Sequence, residues 1–236
     1  LLETNRGLEL ALHQIPLDDA RTFDLLSSGL TNEVFQLESE GMQRNIKELK
    51  PSSVSDVAAM IALYRPGPMD QIPTFIDSKH SRIPVTSPHP SLDAILEDTY
   101  GVIVYQDQVL RILQTFAGYT LGSADIVRKA MGKKIPELMR QERQGFIKGA
   151  EAQGFTSKQA KEIFKLIEPF AGYAFNKAHS VSYALISYWT AFFKANFQLE
   201  YMTSVLNARS DNPERMANAI TECMRMGIPI FPPDIN

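Results

Sequence analysis

Apolar residues recur at helical spacing over most of this chain. Between residues 156 and 168, Ala160, Ile163, Phe164 and Ile167 form one stripe, and Thr156 and Gln159 stand where a capping box would open the helix. Val109, Ile112, Leu113 and Phe116 repeat the i, i+3, i+4, i+7 pattern, with Gly118 where that helix should end. A third helix is expected over residues 54 to 64, with Ser53 as its cap. The run Arg65-Pro66-Gly67-Pro68 should stop it, because proline disfavours helical geometry at the residue before it. The most apolar stretch, residues 181 to 193, is interrupted by Ser182, Ser187 and Thr190 and closed by Lys194. It falls short of the roughly 20 apolar residues a membrane span needs, so a buried core helix is expected. Strand signals are confined to two short β-prone runs, 34 to 37 and 102 to 105, too isolated for a large sheet. The fold expected is mainly α, with a few short β elements in the N-terminal third.

Pro84, Pro88 and Pro90 among Ser and His mark a loop. The chain is therefore expected to divide into an N-terminal helical lobe over 1–80, a proline-containing loop over 81–99, and a larger helical lobe over 100–236. A length of 236 residues with 44% hydrophobic and 22% charged residues suits one large domain or two small ones. The formal net charge of -3 argues against a uniformly basic nucleic-acid binder, so affinity for phosphate must come from a local patch. The single cysteine, Cys223, leaves no internal disulfide, and His13, His80, His89 and His179 lack zinc-site spacing. A reducing, cytoplasmic setting fits best. The opening Leu1-Leu2 carries neither an initiator methionine nor a signal-peptide layout, so the sequence reads as a piece of a longer protein.

Three segments are candidates for chemistry. The first is AGYTLGSADIVRKAMGKK at 117–134, where Gly118 and Gly122 shape a loop, Ser123 is placed to cap a helix, and Arg128, Lys129, Lys133 and Lys134 follow. From Ile126 to Lys148 there are seven Lys or Arg and two Glu, a local excess of five positive charges. A helix N-terminus with such cations suits phosphate; a solvated helix face accounts for the same pattern. It is not a phosphate-binding loop of the Walker type, since Val127 stands where the first glycine belongs and Lys134 where Ser or Thr should be. The second is FAGYAFNKAHSVSYALISY at 170–188, which gathers Gly172, Tyr173, Asn176, Lys177, His179, Ser180 and Tyr183. Rings, amide donors and a cation together suit a nucleotide; the plainer alternative has Asn176 or Ser180 capping a helix and Phe175 and Tyr188 in the core. FAGY occurs at 116–119 and again at 170–173, each time leading into a helix that carries cations. The third is YRPGPM at 64–69, whose Arg65 is placed either to contact a phosphate or to cap carbonyls of its own helix. No Asp-x-Asp group sits at an expected strand end, so ligands for a two-metal phosphoryl-transfer site are not apparent.

Taken together, FQLESEGM at 35–42, YRPGPM at 64–69, YGVIVYQDQVL at 100–110, AMGKK at 130–134, FAGYAFNKAHS at 170–180 and PPDIN at 232–236 resemble the alpha subunit of bacterial DNA polymerase III, the C family of polymerases. The resemblance spans essentially the whole chain and implies its mostly helical fingers region. It further implies a template-directed nucleotidyl transferase whose Mg²⁺ is held by three aspartates of a palm domain, outside this segment. The fingers would then bind and position the incoming deoxynucleoside triphosphate and the primer–template. Arg128 and Lys129 match the family's adjacent cations that reach toward the triphosphate, with Lys129 where many relatives carry a second Arg. Lys133 and Lys177 join them as phosphate contacts, and Arg65 and Lys134 as DNA contacts. The loop residues Gly172, Tyr173, Asn176, His179, Ser180 and Tyr183 are expected to face nucleotide and DNA. Other replicase subunits would be partners, and no membrane is involved. The alternative is a non-catalytic helical module that binds DNA or other replication proteins.

Overall fold

The computed structural model describes residues 1–85, 89–133, 136–171 and 174–231. Among them lie thirteen α-helices: α1 (Leu2–Arg6), α2 (Ala20–Ser28), α3 (Glu40–Leu49), α4 (Val54–Leu63), α5 (Ile72–Lys79), α6 (Asp93–Leu96), α7 (Gln106–Ala117), α8 (Leu121–Gly132), α9 (Pro136–Ala152), α10 (Ser157–Ala171), α11 (Lys177–Asn196), α12 (Gln198–Ala208) and α13 (Pro213–Arg225). The chain forms two compact units, one built from residues 1–54 with 183–236 and the other from 55–182. Residues 81–85 and 89–99 lie inside the second unit, and α11 starts in that unit and continues in the first.

In the first unit the expected core helix is present, and Tyr188 and Phe192 on it pack with Ile15, Phe23, Trp189 and Phe197. The Tyr188 hydroxyl donates to the Pro16 carbonyl at 2.8 Å and accepts from the Asp19 amide at 2.9 Å. Asp19 also caps α2, its carboxylate accepting from the Thr22 amide at 2.8 Å. Ser39 caps α3, which buries Met42, Ile46 and Leu49. Lys194, expected only to close the apolar run, is itself fully buried, and its ammonium donates to the carbonyls of Leu30 and Asn32 and to Glu222.

In the second unit α7 is the central helix. Val109, Ile112, Leu113 and Phe116 are completely buried, in a core shared with Val127 of α8, Phe146 of α9 and Ile163, Phe164 and Ile167 of α10. Fully burying side chains of this size contributes about 1.5–3 kcal/mol each before entropy is counted. Both sequence signals at the helix ends are realised. Gly118 ends α7 at φ 67°, a left-handed conformation that glycine adopts without Cβ strain. The Gln159 side chain accepts from the Thr156 amide while Thr156 Oγ1 accepts from the Gln159 amide, the reciprocal capping box. Gly149 lets α9 approach α7 closely, since a Cβ there would lie 2.5 Å from the Ala117 carbonyl oxygen.

The expected β elements are not formed: among the described residues there is one isolated parallel bridge, Tyr105 with Phe175, and no strand. The reasons differ at the two places. In residues 30–38, Glu33 and Gln36 have φ of 60° and 63°, which curls the chain into turns that bury Val34 and Leu37. Residues 102–104 have no regular structure and Tyr105 is extended, but the buried Gln108 side chain accepts from the Val104 and Tyr105 amides at 2.8 and 2.9 Å. It does the work a neighbouring strand would otherwise do.

Candidate functional site

The cation-bearing helix α8 begins at Leu121. Its cap is Thr120 rather than Ser123, because Thr120 Oγ1 accepts from the Ser123 amide at 3.2 Å. Val127 and Ala130 turn into the core, and this register sends Arg128 and Lys129 to the flank and surface. Both cations meet one carboxylate that the sequence reading passed over. Asp125 Oδ1 accepts from Arg128 Nε at 3.1 Å and Nη2 at 2.9 Å, and Asp125 Oδ2 lies 2.6 Å from Lys129 Nζ. Hydrogen bonds from Lys129 and then Arg128 hold the Asp125 carboxyl below the usual carboxylate range. Asp125 stands one residue ahead of the cationic run, and its i, i+3 and i, i+4 spacing to the two cations is legible in the sequence. Arg128 is mostly covered at 16% side-chain exposure, whereas Lys129 is 63% exposed. Lys133 follows in an exposed turn, and on α9 Arg140 pairs with Glu137. Lys134 lies outside the described residues.

The second group stands at the start of α11. Its Asn176 is the cap: Oδ1 accepts from the His179 amide at 3.0 Å. The segment leading into it is strapped to the start of α7, with the Phe175 amide donating to the Val104 carbonyl at 3.0 Å and the Gln106 amide to the Phe175 carbonyl at 2.9 Å. The neighbouring Ala174 is buried in the α7 to α10 core. Lys177 Nζ lies 3.3 Å from Asp98 Oδ2 and 5.6 Å from the centre of the Tyr105 ring. Lys177 is 44% exposed and Asp98 73%, so this pair is screened by water. His179 is exposed and its ring lies 5.5 Å from that of Phe175.

Ser180, expected to face nucleotide, is instead fully buried and donates its hydroxyl to the Ala58 carbonyl of α4 at 2.5 Å. Its place one turn into α11 turns it toward the core, so it supports the loop from beneath. Tyr183 falls in the other compact unit, its ring 5.3 Å from that of Phe35. Gly172 and Tyr173 lie outside the described residues, as does PPDIN at 232–236.

Arg65 does cap its own helix, Nε donating to the Ala62 carbonyl at 3.0 Å. Its guanidinium also lies 4.6 Å over the Phe175 ring, and burial lowers its pKa from the ordinary arginine value. A cation over an aromatic face contributes about 0.5–2 kcal/mol, depending on how dry it is. Arg65 therefore braces the segment that presents Asn176 and Lys177.

One polar cluster had no signal in the sequence pattern. Asp56 of α4 is 2% exposed, accepts from Tyr100 OH at 2.8 Å and is paired with Lys79 Nζ at 2.7 Å. Burial, then the hydrogen bond to Asp56, raises the Tyr100 hydroxyl well above the ordinary tyrosine value. The cluster joins α4, the end of α5 and the turn before residues 102–105.

Among the described residues no three His, Cys, Asp or Glu converge, and Asp56, Asp125 and Glu222 are each engaged by cations of the chain.

Residues 1–154 match the model of the bacterial DNA polymerase III alpha subunit finger domain. The chain belongs to that family. It is 49% identical over 234 residues to the DNA polymerase III subunit alpha of Escherichia coli K12, covering 96% of this chain. The corresponding subunits of Caulobacter vibrioides and Thermus aquaticus are 47% and 43% identical, covering 98% and 100% of it. The chain spans 20% of the length of each of these relatives. Among the described residues, no helix is long and apolar enough to cross a membrane.

Proposed function

We propose that this chain is the fingers of a template-directed DNA polymerase and that it binds and positions the incoming deoxynucleoside triphosphate and the primer–template. What carries the reading is the exposed cationic end of α8 in a chain that matches the finger-domain model. Arg128, Lys129 and Lys133 would meet phosphate oxygens, and the start of α11 would add Lys177, Asn176 and His179. Gly172, Tyr173 and Tyr183 are assigned to the nucleotide- and DNA-facing surface, and Lys134 to DNA. Arg65 would act through Phe175, and Ser180, buried against Ala58, would support the loop from beneath. The role is electrostatic and positional: fixed cations placed where triphosphate charge accumulates lower the barrier without donating a reactive group.

Mg²⁺ belongs, in this reading, to carboxylates of the palm elsewhere in the polymerase, and the isolated chain would not synthesise DNA. The working enzyme is cytoplasmic and meets other replicase subunits. Those subunits also give the second reading its support. Leu121 and Ile126 of α8 are 62% and 67% exposed, more than a purely phosphate-facing helix requires, and would suit a protein partner.

The test is steady-state nucleotide incorporation by the intact polymerase carrying Arg128→Ala and Lys129→Ala together. A hydrogen bond to a charged group contributes about 1.5–3 kcal/mol, so kcat/KM for the nucleotide should fall at least about tenfold. An unchanged value would remove both residues from the triphosphate site and leave the scaffold reading.

A further inference from the structure

We infer that Asp125 is an internal competitor for the two triphosphate-binding cations, set to weaken their hold on phosphate. This rests on the assignment of Arg128 and Lys129 to the nucleotide. The geometry is specific: one carboxylate spans both groups, Oδ1 taking Nε and Nη2 of Arg128 and Oδ2 taking Nζ of Lys129. These are charge-assisted hydrogen bonds of the kind a phosphate oxygen would make to the same cations. All three residues lie within one and a half turns of α8, so the carboxylate stays beside the cations whichever partner they take.

Asp125 is 36% exposed and Lys129 63%, so an incoming phosphate can reach the ammonium from solvent. Arg128 has little such access, and with Nε and Nη2 on Asp125 a phosphate meets a guanidinium whose charge the carboxylate already partly neutralises. A bound triphosphate therefore works against a standing negative charge, and so does the pyrophosphate left after nucleotidyl transfer. A weaker grip on both favours release of product over retention, the balance a repeating synthesis cycle needs.

The intact polymerase carrying Asp125→Asn removes the charge and keeps the size. The KM for deoxynucleoside triphosphate and the Ki for added inorganic pyrophosphate should both fall, by about three- to tenfold. Coulomb's law gives that range for one charge roughly 6 Å away in a dielectric between about 40 and that of water. Asp125→Glu, which restores a carboxylate within reach of both cations, should return both constants toward wild type, and that rescue separates charge from simple loss of structure. A rise in both constants with Asp125→Asn would make Asp125 a brace that orients Arg128 and would overturn the inference, as would no change. The Arg128→Ala, Lys129→Ala enzyme is measured beside it. If that enzyme too is unchanged, the assignment of the cations has failed; if it weakens and Asp125→Asn does not tighten, only the competitor role has.

Discussion

The ammonium of Lys194 lies 2.5 Å from the Glu222 carboxylate, with the two side chains 0% and 2% exposed. The pair is nearly saturated. Lys194 also donates to two carbonyls, and Glu222 also accepts from Asn32 and from both Nε and Nη2 of Arg225. Removing Lys194 leaves Glu222 with Arg225 and Asn32 but takes the charged donor from the Leu30 and Asn32 carbonyls, and losing hydrogen bonds of this kind costs about 1.5–3 kcal/mol each, or about 3–5 kcal/mol together. Lys194→Met is expected to destabilise the chain by that amount in urea denaturation followed by helical ellipticity. A loss below about 1 kcal/mol would mean that water replaces Lys194 at the two carbonyls.

The same carboxylate sets a pH dependence. Burial alone would raise its pKa, but hydrogen bonds from Arg225, Lys194 and Asn32 outweigh that and bring it from 4.5 to about 2. A folded-state pKa below the unfolded one contributes stability that is full above about pH 4.5. That contribution is lost as pH falls toward about 2. Glu222→Gln should therefore be less stable than wild type at pH 7, with a smaller further loss between pH 4.5 and 2. Parallel acid titrations of the two proteins at a fixed urea concentration would check this, and parallel curves would refute it.

Two glycines in helices should respond to alanine with opposite sign. Alanine is favoured over glycine inside a helix by about 1 kcal/mol. At Gly122 a Cβ meets nothing within 4 Å, so Gly122→Ala should be neutral or stabilising by up to about 1 kcal/mol. At Gly149 the new atom would stand 2.5 Å from a backbone oxygen and 3.0 Å from Ala117 Cβ. Neither neighbour can swing away as a flexible side chain would. Overpacking costs about 1–3 kcal/mol, so Gly149→Ala should be net destabilising, and melting of the two variants side by side reads the difference.

The helices were legible because their signals are local. The stripe at Ala160, Ile163, Phe164 and Ile167 and the Thr156–Gln159 box involve neighbours three and four residues apart, and both are realised in α10. Local signal also sufficed for Gly118 and for the cationic run on α8. The failures share a longer range. Nothing near residues 102–105 announces that a side chain at position 108 will satisfy their amides, and nothing near Lys194 announces two carbonyls over 160 residues away. The same holds for Asp56, whose partners stand 23 and 44 residues along the chain. Asp125 is the exception, a short-range partner overlooked because a charge count replaced a reading of spacing. Polar burial was the hidden part of this fold, since a charged side chain reads as surface until its partners are placed.

Gln108 gives the most direct route from packing to the proposed site. Its side-chain oxygen accepts from two buried amides, and its Nε2 donates to Thr99 Oγ1 at 2.7 Å and to the Ile95 carbonyl at 3.3 Å. Gln108→Leu keeps much of the volume and orphans both amides, each costing about 1–3 kcal/mol. Gln108→Glu keeps the acceptors but sets a carboxylate against the Ile95 carbonyl, so it too should destabilise, by a different route. The Val104 carbonyl beside these amides is the one that holds Phe175, the residue ahead of Asn176 and Lys177. Gln108→Leu should therefore loosen the start of α11 as well as lower stability by about 2–5 kcal/mol. Amide hydrogen exchange followed by mass spectrometry should show faster exchange at 104–106 and at 175–180, with the helical part of α10 protected as in wild type. Faster exchange confined to 104–106 would show that the strap to Phe175 holds without Gln108, and would separate the core of this unit from the start of α11.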